Sequence, residues 1–348
     1  MAATPTVTLA AAAVFDEVQL DEELDEAAPM VSTSRMMRRV RKKIRKLTPA
    51  HLNPTPRGQR RPAGTGKRQH RNVSFIDDTT NFTDDTGLTP ALFETLYLRM
   101  LPRLAGPRIT ADGPKKRVIA RTWTPMTRLF IVLRWLRHQE SYRRLAHAFG
   151  GTAATISREI WDVIPKLYVE FKDTLQLPTA EEMANLPHRF RAAGAIDCTA
   201  HLRNRVHPWS TEYYRGDLHE HFIAAQLMCA LNGKPWDVQL APGHNNDQGL
   251  FNTTGIEEML ETRNERLLAD MGYTSDFVVR PDDLGGELRL RHSGFRSVVE
   301  QNFALVHMFA ASGQKFRGTP ELQEMVLMIV YALVFLKCAE QPLRDLRS

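Results

Sequence analysis

The sequence predicts an α+β or α/β protein in which a mixed sheet is flanked by helices and preceded by a small all-helical domain and a disordered tail. Three observations support this fold class. Residues up to about 85 are highly charged and show no sustained hydrophobic period. Residues 86–175 place apolar side chains at helical spacing. From residue 190 onward, short strand-like runs alternate with helical segments, which is the pattern of a sheet covered by helices.

Length and cysteine usage limit how the chain can be organised. Its 348 residues are enough for two domains and a tail. The 3 cysteines have no CxxC or zinc-finger spacing, which argues against a disulfide framework and favours a reducing compartment. We expect a disordered acidic-then-basic tail over 1–85, a helical helix-turn-helix domain over 86–175, a linker over 176–191 and a sheet domain over 192–342.

The charge of the tail is divided into two blocks. Residues 16–26 contain 7 acidic and no basic residues, whereas residues 35–71 contain 14 basic and no acidic residues. A basic arm of this kind suits contact with the DNA phosphate backbone or nuclear import. Residues 38–46 form a candidate nuclear localisation signal, and the alternatives are a non-specific nucleic-acid arm or a soluble tail. The candidate DNA-binding residues in this block are Arg38, Arg39, Arg41, Lys42 and Lys43.

No membrane span is predicted. The longest uncharged apolar run, Met325–Leu336, has 12 residues and is too short to cross a bilayer. Residues 1–14 have no basic residue ahead of their apolar part, so we do not expect a secretory signal.

The helical domain ends in a pair of segments with helix-turn-helix form. Residues 141–150 and 151–161 predict two short helices separated by a Gly-Gly turn. Thr155, Ser157 and Arg158 face outward near the start of the second helix, the part that can enter a major groove. Plain helical domains use the same geometry, so the pattern alone leaves both interpretations open. Pro165 is expected to bend or end the second helix.

The second half predicts the elements of a mixed sheet. Strands are expected at 193–198, 221–231 and 236–240, with an Asn-Gly hairpin turn before the third. A helix is expected at 248–263, followed by strands at 266–270 and 277–279. Two more helices complete the domain, one containing Glu300 and one starting at Pro320 and running to about Cys338.

Three acidic residues on separate elements are the candidate site. Asp197 and Asp270 each end a predicted strand and have 72 residues between them, and Glu300 follows on a helix after 29 intervening residues. Converging carboxylates of this kind can hold two Mg²⁺ or Mn²⁺ ions for phosphodiester cleavage. Helical periodicity places Arg296 and His307 on the same face as Glu300, and both are candidate DNA-binding residues; Arg296 could hold the carboxylate or touch a phosphate. The alternative is an ordinary surface Arg–Glu pair.

Other polar residues are weaker candidates. A histidine group within 21 positions lacks zinc-ligand spacing, so phosphate contact or polar satisfaction is the favoured interpretation; its members are His201, His207, His219 and His221. Cys198 is interpreted as a small buried core thiol rather than a nucleophile. Asp247 is interpreted as a loop acid that supports the fold, and Asp270 is preferred as the second catalytic acid.

Residues 124–338 resemble the DDE transposases of the PIF/Harbinger type and their bacterial relatives. The motifs that match in order are Ser141–Gly150 with Thr155–Arg158, Gly194–Thr199, Tyr213–Asp217, Pro242–Phe251, Leu267–Tyr273 and Arg296–Glu300. Two positions depart from the family pattern. This chain has His307 where Lys or Arg is frequent, and Cys198 where Gly is common.

The resemblance implies a ribonuclease-H-like core and a metal-dependent DNA endonuclease. It implies that Asp197, Asp270 and Glu300 hold two Mg²⁺ or Mn²⁺ ions, and that the enzyme excises DNA at terminal inverted repeats and transfers strands to a target site. It also implies a Myb-like DNA-binding partner, a homo-oligomer, and a nuclear location in a eukaryote or a cytoplasmic one otherwise. The alternative functions are a domesticated DNA-binding protein that no longer cuts and another ribonuclease-H-like nuclease such as a resolvase.

Overall fold

The computed structural model of the chain describes residues 79–105, 109–110, 113–114, 123–207 and 210–346. These residues divide between Val169 and Glu170 into a helical unit and a sheet unit. The predicted boundary between domain and linker was residue 175, a few residues later. The basic block predicted to bind DNA or direct import, which includes Arg38, lies outside the described residues.

Several helices of the helical unit begin after a capping threonine or serine, or with a proline as their first residue. Thr124 accepts a hydrogen bond from the Thr127 amide, and Pro125 occupies the first helical position, so the predicted cap is present. The elements are α1 (Thr79–Thr86), α2 (Pro90–Ala105), β1 (Ile109–Thr110), β2 (Gly113–Pro114), α3 (Pro125–His138), α4 (Tyr142–Phe149) and α5 (Ala153–Phe171).

Helix α1 lies in the segment that was predicted to be disordered up to residue 85. Its Phe82 is buried and packs edge-to-face against Phe93, with ring centroids 5.1 Å apart. The segment is short and mostly polar, so its sequence shows no helical hydrophobic pattern. Burial of one aromatic side chain nevertheless supplies an apolar contact that stabilises the helix. The prediction of disorder therefore fails for these last residues of the tail.

The second helix of the predicted helix-turn-helix pair is longer than expected. Helix α5 passes through Pro165 and continues to Phe171. Ile160, Ile164 and Leu167 are fully buried on this helix, so core packing on both sides of the proline offsets the loss of one helical hydrogen bond. Of the two outcomes predicted for Pro165, the end of the helix is wrong, and a bend stays a prediction.

The sheet unit contains a mixed sheet flanked by helices, as predicted. Its strands are β3 (Gly194–Arg203), β4 (Tyr214–Arg215), β5 (Glu220–Ala230), β6 (Pro235–Pro242), β7 (Leu267–Leu268) and β8 (Val278–Val279). Its helices are α6 (Ala180–Ala184), α7 (Ser210–Tyr213), α8 (Asp247–Thr253), α9 (Ile256–Arg263), α10 (Gly286–His307), α11 (Ala310–Gly313) and α12 (Pro320–Glu340), with a 3₁₀ turn at Pro281–Asp283.

Strand β3 lies at the centre of the sheet. The order is β4-β5-β3-β7-β8, and β6 also pairs with β5. β3 is antiparallel to β5 but parallel to β7, and β7 is parallel to β8. Helix α10 packs against β3, and α12 packs against β6 and α10. This arrangement confirms the mixed sheet and agrees with a nuclease-type fold.

Helix α12 is the apolar core helix of the sheet unit. Among the described residues it is the one helix whose length and composition would also suit a membrane span, but 67% of its most apolar stretch is buried in the protein. Its buried face includes Val330, Tyr331 and Val334. The prediction from sequence stopped near Cys338, two residues before the observed end.

Three boundaries in the sheet unit differ from the predictions. The helix predicted over 248–263 is two helices, because Gly255 adopts a left-handed conformation at φ 71° between α8 and α9. Strand β3 continues to Arg203, so Asp197 lies within the strand rather than at its end. Strand β7 is only two residues long, so Asp270 lies in the loop that follows it.

Candidate metal centre

Asp197 lies on the central strand β3, opposite Leu227 of β5. One carboxylate oxygen accepts a hydrogen bond from the Cys198 amide at 2.8 Å, and the other accepts one from Arg296 Nη1 at 2.7 Å. Burial raises the pKa of Asp197 from 3.8 to about 6, although the Cys198 amide and Arg296 oppose that rise and the charge of Asp270 adds to it. The protein therefore holds this carboxylate where its charge is unfavourable.

Asp270 reaches the same place because β7 runs parallel to β3. The pairing of Ala195 with Leu268 puts Asp197 and Asp270 at equivalent positions, each two residues farther along its chain. Asp270 Oδ1 accepts a hydrogen bond from the Gly272 amide at 2.8 Å, which fixes the turn. The sequence prediction that Asp197 and Asp270 converge is therefore consistent with the structure.

Asp247 joins these two aspartates. It is the first residue of α8, and its neighbour Asn246 caps the helix by accepting a hydrogen bond from the Gly249 amide at 2.7 Å. One carboxylate oxygen from each of Asp197, Asp247 and Asp270 lies within 4.8 Å of the other two. The sequence interpretation placed Asp247 outside the site as a fold-supporting loop acid, and the structure corrects that placement.

Glu300 is connected to the aspartates through an arginine. It lies on α10, and Arg296 Nη2, one turn earlier, donates a hydrogen bond to Glu300 Oε1. Because Arg296 also binds Asp197, its guanidinium bridges the two acids. The contact between Arg296 and Glu300 was predicted, whereas the contact with Asp197 was not. The Glu300 side chain is 52% exposed and does not belong to the group of three aspartates.

A buried polar network lies behind the aspartates. Gln226 Nε2 donates to Tyr273 Oη at 3.1 Å and to the backbone carbonyl of Asp247 at 3.1 Å. Cys198 Sγ lies 3.4 Å from Tyr273 Oη, and burial raises the pKa of the Cys198 thiol. The thiol is therefore protonated, which argues against a nucleophile; Cys198 is half-buried rather than fully buried, and it packs against the core cluster that contains Phe222. Sequence reasoning missed Gln226, although a lone polar residue in the apolar run of β5 is a recognisable signal.

The predicted histidine group is dispersed. His201 is fully buried, hydrogen-bonded to the Ser312 carbonyl and to Tyr331 Oη at 3.0 Å each, and burial lowers its pKa to about 3. His219 has φ 53° and precedes β5, so it does not share a strand face with His221. No histidine joins a metal-binding group among the described residues. For His201, polar satisfaction is the interpretation that the structure supports.

The other predicted DNA-binding residues occupy two places. Thr155, Ser157 and Arg158 lie in the first two turns of α5, where Arg158 Nε donates to the Ala154 carbonyl at 3.2 Å. His307 ends α10 and its Nε2 lies 3.4 Å from Thr199 Oγ1 on β3. Burial lowers the pKa of His307, so this imidazole favours its neutral form.

The donor set fits a hard divalent cation. Its ligand atoms are carboxylate oxygens, the type preferred by Mg²⁺ and Mn²⁺, and three of them lie close enough to share one ion. A bound cation would also relieve the unfavourable charge that burial imposes on Asp197. Carboxylates that converge from separate elements are also the ligand set used by the class of enzymes that cleave phosphodiester bonds with divalent metal ions.

Comparison with known protein families agrees with that class. A family model described as DDE superfamily endonuclease matches residues 196–337. The matched segment contains Asp197, Asp247, Asp270 and Glu300, and it supports assignment of this part of the chain to the DDE endonuclease superfamily. No curated protein and no solved structure matches the chain.

Proposed function

We propose that the protein is a DNA endonuclease and strand transferase of the PIF/Harbinger transposase type. The observation that supports this most directly is the convergence of Asp197 and Asp270 from neighbouring parallel strands, inside the segment that matches a DDE endonuclease. Glu300 on α10 completes the proposed triad, and Arg296 connects Glu300 to Asp197. The chemistry is phosphodiester hydrolysis at the ends of a mobile element followed by strand transfer to a target site.

Asp197, Asp270 and Glu300 would hold two Mg²⁺ or Mn²⁺ ions. When bound, such ions activate the attacking water or hydroxyl and stabilise the leaving oxygen. The residues of the chain supply the position of the ligands. β3 and β7 fix the two aspartates, and in the metal-free protein Arg296 offsets the negative charge of Asp197 and Glu300. With Asp197 and Glu300 bound to cations, Arg296 is free to contact a phosphate oxygen of DNA.

The helical unit is the proposed DNA-binding module. Thr155, Ser157 and Arg158 near the start of α5 would reach base edges or phosphates, and Arg296 and His307 would contact DNA near the cleavage site. The basic tail residues would contribute sequence-independent phosphate contacts and nuclear import. DNA with terminal inverted repeats, the target DNA, a Myb-like protein and a second copy of this chain are the proposed partners, and the nucleus of a eukaryote is the proposed location.

A nicking assay tests this function. Purified protein is incubated with supercoiled plasmid that carries the terminal repeats of its element, in Mg²⁺ or Mn²⁺. We expect nicking that EDTA and Asp270→Asn both abolish. Asp276→Asn is the matched control, because Asp276 is an exposed aspartate six residues farther along the same region. Nicking that survives Asp270→Asn would contradict the assignment. Salt-sensitive DNA binding without nicking would instead favour the domesticated, non-cutting protein.

A further inference from the structure

One corner of the sheet unit, at the end of β3, is built from three segments of the chain: residues 202–205, 214–221 and 315–317. β5 pairs with β3 and with β4 at this corner, so the first two segments lie side by side. The Asn204 amide donates to the Phe316 carbonyl at 2.9 Å, which joins the third segment to the first. The corner is therefore one surface assembled from distant parts of the sequence.

Apolar side chains are exposed at this corner. Three of the eight large hydrophobic residues that the described part of the chain exposes lie here: Leu202, Tyr214 and Leu218. Tyr214 is 40% exposed, and its ring packs against that of His221 with centroids 5.1 Å apart. The two residues are cross-strand partners, so their contact also stabilises the short strand β4. The corner thus presents an aromatic ring that a neighbour supports and that solvent reaches.

The corner also carries an excess of positive charge. Its three segments contain 5 arginine and lysine residues and 2 acids. Arg205 and Arg317 are exposed, and neither forms an ion pair with another residue that the structure describes. Lys315 Nζ lies 2.6 Å from Glu220 Oε2. Burial lowers the pKa of His221, and the charges of Arg205 and Lys315 lower it further. The tyrosine and its imidazole support therefore lie within reach of several cations.

The other acids near the corner are already matched by basic groups. Asp217 Oδ1 lies 2.8 Å from Arg215 Nε. Glu321 and Glu324, at the start of α12, act on the buried Arg203, whose pKa burial lowers and their charges raise. These acids leave the two unpaired arginines of the surface without a partner of their own.

The corner borders the aspartates of the candidate metal centre. Arg203 follows Asp197 by six residues on β3, which is about 20 Å at the rise of a strand. Arg215 lies within electrostatic reach of Asp247, because burial raises the pKa of Asp247 and the charge of Arg215 opposes that rise. A DNA strand held at the aspartates can therefore extend onto the corner.

We propose that this corner binds unpaired nucleotides of the DNA substrate, with a base packed on Tyr214 and neighbouring phosphates held by Arg205 and Arg317. This inference rests on the proposed function, and it adds the form of DNA and the surface that receives it. Duplex DNA offers mainly phosphates to a protein surface, whereas an exposed aromatic ring beside cations suits a strand whose bases are unstacked.

Fluorescence anisotropy of the full chain in EDTA tests the contact with the base. The probes are a labelled single-stranded oligonucleotide and a duplex of the same sequence. We expect Tyr214→Ala to weaken single-strand affinity by about tenfold, because a stacked base contributes that much or more, and to change duplex affinity by less than about twofold. Tyr214→Phe should restore the single-strand affinity. Tyr97→Ala is the matched control, because Tyr97 is a half-buried tyrosine of the helical unit that also packs on a neighbouring ring, that of Phe93.

The salt dependence of the same binding tests the phosphate contacts. The double variant Arg205→Gln with Arg317→Gln should reduce the slope of log affinity against log salt by about 1.4, since each phosphate contact to a single strand contributes about 0.7. The control pair Arg289→Gln with Arg291→Gln removes two exposed arginines of α10 and should leave the slope unchanged. Every variant keeps the basic tail, so the contribution of the tail is common to all.

Circular dichroism and thermal unfolding establish that each variant is folded. Wild-type affinity of Tyr214→Ala for the single strand, or an equal loss for single strand and duplex, would overturn the inference. An unchanged salt slope in the double arginine variant would also overturn it, and these surface arginines do not depend on the packing of β4. Plasmid nicking by wild type would leave the proposed function standing in each case. Wild-type protein that binds neither form of DNA would overturn both.

Discussion

Replacing Asp197 by Asn should stabilise the metal-free protein while it removes the proposed activity. The Asp197 side chain is 15% exposed, and its pKa of about 6 reflects a charge that burial makes unfavourable. Asn has nearly the same shape and can still accept a hydrogen bond from Arg296, but it carries no charge. The substitution therefore removes the unfavourable charge without opening a cavity.

The pKa gives the sign and size of the effect. A carboxyl whose pKa is raised by folding contributes stability below its unfolded pKa, and that contribution is lost as the pH rises through the folded pKa. For Asp197 the loss occurs between about pH 4 and pH 6. Raising the pKa from 3.8 to about 6 corresponds to about 3 kcal/mol, since one pKa unit is about 1.4 kcal/mol.

Thermal unfolding in EDTA provides the assay, with hydrogen exchange of β3 and β5 peptides to assign the transition to the sheet unit. At pH 8, Asp197→Asn should unfold about 6–12 °C above wild type, because 1 kcal/mol shifts the midpoint of such a domain by about 2–4 °C. The difference should shrink toward zero near pH 4. Saturating Mn²⁺ should stabilise wild type and leave the variant unchanged.

Asp276→Asn controls for the loss of any carboxylate, since Asp276 is exposed. It should change the midpoint by less than about 1 °C, as surface substitutions usually do. An Asp197→Asn variant that is less stable than wild type at pH 8, or a difference that grows as the pH falls, would refute the electrostatic reasoning.

Three further predictions concern other groups of the sheet unit. Arg296→Gln leaves the Asp197 carboxylate without its charged partner, so it should lower the free energy of unfolding in EDTA at pH 8 by about 2 kcal/mol. The decrease should be smaller at pH 5, and urea unfolding measures both values. Burial raises the pKa of Glu324 to about 8, so the free energy of unfolding of wild type should fall by up to about 5 kcal/mol between pH 5 and pH 8. In the same assay, Glu324→Gln should remove most of this pH dependence. Gly272→Ala should weaken Mn²⁺ binding severalfold by titration, because its Cβ would crowd Asp270 Oδ1 at 3.1 Å.

The sequence predicted the sheet well because strands and helices differ in hydrophobic period. The apolar run of β5 and the Asn-Gly turn before β6 were recognisable, and both strands are where the pattern put them. Boundaries were less predictable. β7 has only two residues, because its chain leaves the sheet to form the turn that Gly272 closes, and no local pattern reports that departure.

The site was predictable to the extent that topology implied it. Parallel neighbours place their ends together, so Asp197 and Asp270 could be paired from sequence. Asp247 could not, because its place depends on the bend after β6 and on the Gln226 hydrogen bond, which joins residues 21 positions apart. The bridge from Arg296 to Asp197 was equally hidden, since helical spacing relates Arg296 only to residues of its own helix.

Arg296 explains how this set of acids folds before any cation is bound. Asp197 cannot move away from Asp270, because the register of β3 and β7 fixes Asp197 and the turn at Gly272 holds Asp270 beside it. Burial also denies Asp197 the solvation that would offset its charge. A guanidinium between Asp197 and Glu300 supplies that missing positive charge. A bound cation would supply positive charge to the same carboxylate, so Arg296 would stabilise the metal-free site and the cation would stabilise the metal-bound site. This exchange requires that loss of Arg296 weaken the metal-free fold while metal affinity is retained or increased, and a variant in which both fall together would show that Arg296 organises the site instead.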